Sequence, residues 1–202
     1  MLPSGFIVFA IILRFMAGAS YFKATWQGKA RPNLVSWSLW SLTALLAFGI
    51  QLLQGAGTSA LITLAIGVSP IAVCIAALHR HTYAKTFSRL DKYCMVLTVA
   101  GLLLWLASKD PLTVLLMGIV ADLFSNIPTV KKAYQAPHTE HATAYCLSAL
   151  SMLVALLTIQ DWQLTSWLFT AYILCINIVI FLVITLGNKL TLPGLLQQKQ
   201  NA

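Results

Sequence analysis

Apolar residues run along this chain in long unbroken blocks, without the alternation of a half-buried strand. A helix crosses the hydrocarbon core of a bilayer with about 20 such residues. The blocks are Gly5–Trp26, Leu34–Gln54, Ser59–Leu78, Tyr93–Ala107, Leu112–Ala133, Ala142–Thr158 and Ser166–Leu186, and the pattern predicts a membrane-spanning helix over each. Barrel strands would be shorter and would alternate. The expectation is an all-α membrane protein with seven transmembrane helices.

One block carries a polar stripe. Within Ala121–Glu140, the residues Asp122, Ser125, Asn126 and Thr129 stand at i, i+3, i+4 and i+7 and share one helical face. Lipid offers such groups no hydrogen bonds, so the face is expected to look inward.

Composition agrees: 59% of the 202 residues are hydrophobic and only 9% are charged. Soluble domains carry about a quarter charged residues. The net charge of +8 is read as basic loops facing an anionic leaflet, not as a nucleic-acid surface. Lys23, Lys29 and Arg31 follow the first block; Arg80, Lys85, Arg89 and Lys92 the third; Lys131 and Lys132 the fifth; Lys189 and Lys199 the seventh. Lys109 and Asp110 follow the fourth, and Asp161 alone the sixth. Eleven of the thirteen Lys and Arg residues therefore fall on one side. By the positive-inside rule that side is cytoplasmic, which puts the amino terminus outside and the carboxyl terminus in the cytoplasm. A cell inner (cytoplasmic) membrane is the expected location. Cys74, Cys94, Cys146 and Cys175 lie in apolar runs without ligand spacing and read as buried free thiols.

The chain repeats. A shift of 108 residues carries the first three blocks onto the last three without gaps, placing Arg14 on Asp122, Lys23 on Lys131, Trp26-Gln27 on Tyr134-Gln135 and Trp37 on Tyr145. The predicted layout is two parallel three-helix bundles, residues 1–82 and 111–190, joined by a linker helix within 83–110, with a polar tail over 191–202. Parallel repeats related by an axis along the membrane normal form a transporter plan, with the site between the repeats.

Candidate chemistry follows from that plan. Arg14 and Asp122 lie mid-span and can offset each other's insertion cost across the repeat axis, either as a working pair or as a static bridge. Asn126 and Asn177, the latter opposite Ser69 in the shift, can bind a polar solute or glue helices together. Trp37 and Tyr145 can stack on a ligand or sit in the interfacial aromatic belt, as Trp162 and Trp167 are expected to do. Pro128 and Pro70 free carbonyls within helices and are candidate hinges or static kinks. No nucleophile–base set, phosphate loop, metal cluster or cofactor motif is evident, so an enzyme is not expected.

The segment Pro128-Thr129-Val130-Lys131-Lys132-Ala133-Tyr134-Gln135, followed by Pro137-His138-Thr139-Glu140, resembles a PQ-loop segment. Lys29-Ala30-Arg31-Pro32-Asn33 resembles the same turn in the first repeat. The 3+1+3 layout is similar to that of the SWEET (MtN3-type) and PQ-loop membrane proteins. Thr129 stands where the signature has glutamine, and the first repeat has Ser20-Tyr21 there. The resemblance implies the fold, with Asn177 falling where such proteins line their sugar site. The expected function is transport or facilitation of a small polar solute by alternating access of the two bundles. A membrane receptor for a peptide or small ligand on the same fold is the alternative. The expected partners are the solute and the lipid bilayer; the oligomeric state stays open.

Overall fold

The computed structural model describes residues 2–53, 60–83, 88–108, 110–159, 162 and 164–200. Among them lie seven α-helices and no strand: α1 Ile7–Trp26, α2 Leu34–Leu53, α3 Ala60–His79, α4 Arg89–Ala107, α5 Pro111–Gln135, α6 Ala142–Leu157 and α7 Leu164–Gln200. A 3-10 turn at Ser4–Phe6 precedes α1, and another at Pro137–Thr139 links α5 to α6. Lys85, Lys109 and Asp161, whose charges entered the loop argument, lie outside the described residues.

Local chemistry sets the helix ends. Gly28 has a φ of 75°, a conformation that suits glycine, and lets the chain reverse after α1. Asn33 then caps α2, its side-chain oxygen accepting from the Val35 N–H at 3.0 Å and the Ser36 N–H at 3.2 Å. Asp110 caps α5, accepting from the Thr113 N–H at 2.7 Å, with Pro111 in the first turn. The hydroxyl and the N–H of Thr113 together hold the Asp110 carboxyl below its ordinary range.

The structure moves two expected boundaries. Helix α4 starts at Arg89, not Tyr93, because Ser88 and Asp91 form a capping box. The Ser88 N–H donates to Asp91 at 2.6 Å, and the Asp91 N–H donates to the Ser88 hydroxyl at 3.2 Å. The expected polar tail from residue 191 continues α7 as helix as far as Gln200. Pro70 and Pro128 both sit inside uninterrupted helices.

Polarity is turned inside out. Phe9, Ile12, Phe15 and Met16 are exposed on α1, while Asp122, Ser125, Asn126, Thr129, Ser148 and Ser151 are buried. Among the described residues, three helices are long and apolar enough to cross a membrane, over Ile7–Trp26, Leu112–Gln135 and Trp167–Lys189. Helix α6, over Ala142–Leu157, is apolar but shorter, at 16 residues. Apolar outside and polar inside is the arrangement lipid selects, and it accompanies helices fit by length and composition to cross a membrane.

Packing is orderly. Helix α3 packs on both α1 and α2, and α7 packs on both α5 and α6. Helix α1 meets α6, α2 meets α5, and α4 lies along α5. Small residues permit the closest approaches. A Cβ at Gly101 would stand 3.1 Å from that of Ala121, and beside it the Thr98 hydroxyl donates to the Ala121 carbonyl at 3.1 Å. Asn33 donates to Asp91 at 3.0 Å, tying the start of α2 to the start of α4.

Asp91 therefore serves a cap and an interhelical bond at once. Asp91→Ala is expected to lower stability by about 1–2 kcal/mol. Thermal unfolding in detergent checks this; an unchanged midpoint contradicts the role given to the carboxylate.

Candidate functional site

Two buried polar clusters stand out. The first lies where α1 and α5 finish and α2 and α6 begin. Its centre is Glu140, between the 3-10 turn and α6. Glu140 accepts from the Tyr21 hydroxyl of α1 at 2.7 Å and from the Tyr145 hydroxyl of α6 at 3.2 Å. Its other oxygen meets the Lys132 ammonium of α5 at 2.5 Å. The Glu140 side chain is wholly buried and that of Lys132 is 12% exposed, so the ion pair is shielded from solvent.

Aromatic rings enclose this carboxylate. The Trp37 ring of α2 lies 4.2 Å from the Tyr21 ring, and the Tyr145 ring stands edge-on to it at 6.0 Å. Ala24, Ala133 and Ala144 pack around them and keep the helices close. Beneath, the Arg31 N–H donates to the Thr139 carbonyl at 2.8 Å, which joins the α1–α2 turn to the α5–α6 turn. A Cβ at Gly187 would stand 2.9 Å from Pro137, so the bare glycine lets α7 close against the second turn. His141 borders the cluster, 6.3 Å from the Tyr21 ring. Burial pushes its imidazole below the ordinary value, with the Lys29 charge acting the same way and Glu140 opposing.

The second cluster lies further along α5. Asp122 accepts from the Tyr172 hydroxyl of α7 at 2.9 Å and from the Asn126 amide at 2.7 Å. Ser125 donates to the Asp122 carbonyl, a local bond within α5. The Thr129 hydroxyl is buried without a partner among the described residues. The sequence-predicted polar face is buried throughout its length. Arg14 donates from α1 to the Ser148 hydroxyl of α6 at 2.9 Å.

These positions bear on the expected Arg14–Asp122 pair, whose charged groups are both buried. Arg14 and Asp122 form no ion pair; their charges act on each other only at longer range. The reason lies in the helices, since α1 packs on α6 and α3 while α5 packs on α4, α7 and α2. Each charged group takes partners from its own neighbours.

The remaining candidates are placed as follows. Trp37 and Tyr145 come together around Tyr21 and are buried, so neither belongs to an interfacial belt. Trp162 is exposed beside Trp167, with ring centres 6.4 Å apart. Asn177 is buried on α7 and donates to the Ile173 carbonyl of its own helix at 2.8 Å. All four cysteines are free, but only Cys94 is buried, and Cys175 is exposed on α7. A groove of about 480 Å³ opens between α5 and α7, reaching Asn126 but lined by neither Asp122 nor Asn177.

Sequence reasoning missed Tyr21, Lys132, Glu140, Ser148 and Tyr172. Glu140 left a signal: it is one of only five acids in the chain, set between two apolar blocks. Neither a protein-family model, nor a curated protein, nor a solved structure matches this chain.

Removing the Glu140 carboxylate strands a shielded ammonium and two buried hydroxyls. Glu140→Ala is expected to cost about 3–5 kcal/mol, and Glu140→Gln, which keeps an acceptor for Tyr21, clearly less. Parallel unfolding curves in one detergent check the order; equal losses contradict the charge-centred reading.

Proposed function

We propose that this chain is a small-solute transporter or facilitator built from two parallel three-helix bundles. In this reading α1–α3 and α5–α7 are the repeats and α4 is the linker. All seven helices span the cytoplasmic membrane, with the amino terminus outside. Helices α2 and α3 match α1 at 20 residues each, and the 16-residue α6 completes its span by packing against longer neighbours. The PQ-loop-like run from Pro128 to Glu140 would then mark a divergent member of the PQ-loop and SWEET-like group.

One observation carries the proposal: the packing reproduces itself when the two halves are exchanged. The contacts of α3 with α1 and α2 have their counterpart in those of α7 with α5 and α6. The contact of α1 with α6 has its counterpart in that of α5 with α2. The hydrogen bond between Arg31 and Thr139 joins residues separated by the same 108 positions that relate the halves (139 less 31). A two-fold axis along the membrane normal accounts for all of these together.

The clusters take roles within that plan. The Glu140 cluster lies at the cytoplasmic end and closes it, since Tyr21 belongs to the first bundle and Glu140, Lys132 and Tyr145 to the second. Asp122, Asn126 and Tyr172 lie nearer mid-membrane, as does Arg14. A solute with hydroxyl, amide or charged groups would exchange partners with them. Opening toward the cytoplasm would separate Tyr21 from Glu140 and part the aromatic rings. Pro128, between the two clusters on α5, is placed where a hinge would serve.

The test is uptake of a panel of sugars, amino acids and other polar solutes into proteoliposomes. For any solute the wild type accepts, Asp122→Asn is expected to reduce uptake at least about ten-fold, the scale of one lost charge-assisted hydrogen bond. Unchanged uptake of every accepted solute removes Asp122 from the mechanism. Binding of a solute without its translocation points to the receptor alternative.

A further inference from the structure

The groove between α5 and α7 meets the Asp122 cluster only at Asn126 and does not reach Glu140. Leu123, Ile127 and Val130 form one wall, and Ile176, Val179 and Val183 the other. Asn126 reaches it, but its amide is already committed to Asp122 and Tyr172. The interior of the groove is therefore apolar. From Leu123 to Tyr134 it follows α5 for about 16 Å at the helical rise, most of the length of a fatty acyl chain.

Its setting narrows the occupant. Helices α5 and α7 are both long and apolar enough to cross a membrane, and Leu123 and Val179 in the walls are exposed, so the groove faces hydrocarbon. Lys131 and Tyr134 line the end near the α5–α6 turn, and both are exposed. Lys132 is consumed by Glu140, whereas Lys131 has no ion-pair or hydrogen-bond partner among the described residues. An apolar trough ending in a free ammonium and a phenol at the level of a loop complements one kind of molecule: an acyl chain attached to a negative headgroup.

We propose that this groove is a docking site for one acyl chain of an anionic phospholipid whose phosphate sits on Lys131. Tyr134 supplies a hydroxyl at the same level, and its ring covers the glycerol region. The site requires only that α5 and α7 lie in a membrane, and it stands whether or not the chain transports a solute.

Native mass spectrometry of the detergent-purified full chain tests this, with phosphatidylglycerol and phosphatidylcholine of matched acyl chains as probes. One phosphatidylglycerol is expected to be retained in preference to phosphatidylcholine. Lys131→Gln is expected to weaken that retention about five-fold. Val179→Trp, which fills the groove from its lipid-facing wall, is expected to lower retention of both lipids without unfolding the chain. Equal retention of the two lipids by the wild type overturns the proposal. So does a Lys131→Gln chain that binds as well as wild type, or a Val179→Trp chain that folds and retains phosphatidylglycerol unchanged. Glycerol phosphate alone competing as well as the whole lipid also overturns it, since the chain would then have no part in binding.

Discussion

A buried carboxylate decides how this molecule is held together. Glu140 draws one hydroxyl from α1, one from α6 and an ammonium from α5 onto a single side chain. Hydrogen bonds to a charged acceptor are worth about 1.5–3 kcal/mol each, and an unpaired carboxylate in this setting would be far more costly than the bonds are favourable. The four groups must therefore stay together or be reached by water together. Everything nearby conforms to that demand. The alanines of α1, α5 and α6 let the helices converge, and the Trp37 ring lies against Tyr21 to seal the site. The bare Gly187 lets α7 lie against the turn that carries Glu140.

The rest of the interior has a different character. Asp122 is held by partners from α5 and α7 alone, and Arg14 by a serine of α6. Neither cluster spans as many helices as that of Glu140. In the proposed transport cycle this difference has a use: the multi-helix cluster closes one end, and the smaller ones remain able to change partners. Locks of the first kind favour one state strongly, and a solute has to repay that preference through its own contacts.

Much of the fold was legible because lipid makes few demands and makes them everywhere. Apolar runs located all seven helices, and the polar face at Asp122, Ser125, Asn126 and Thr129 announced its own burial. What escaped notice was either local and polar or distant and specific. The start of α4 hid among Arg89, Asp91 and Lys92, although Ser88 three residues before Asp91 is a legible cap. Tyr21 and Glu140 meet across 119 positions of sequence, and no local pattern announces such a meeting. Arg14 and Asp122, although their charged groups are both buried and act on each other, make no direct contact, and the reason is geometric. A sequence shift identifies equivalent positions, and equivalent residues touch only where their helices flank the axis. Arg31 and Thr139 meet; α1 packs chiefly on α6 and α3, and α5 on α4, α7 and α2.

The central claim is that Glu140 closes the cytoplasmic end of a path leading to Asp122. Ser125 is fully buried one turn from Asp122 and bonds only within its own helix, so Ser125→Cys is a mild reporter in a chain whose four native cysteines are serine. A membrane-impermeant maleimide applied to inverted vesicles reads water access to that thiol from the cytoplasmic face. The account predicts slow labelling while Glu140 is present and labelling at least about ten-fold faster in Glu140→Gln, the loss of one charge-assisted bond. Identical rates in the two chains would contradict it.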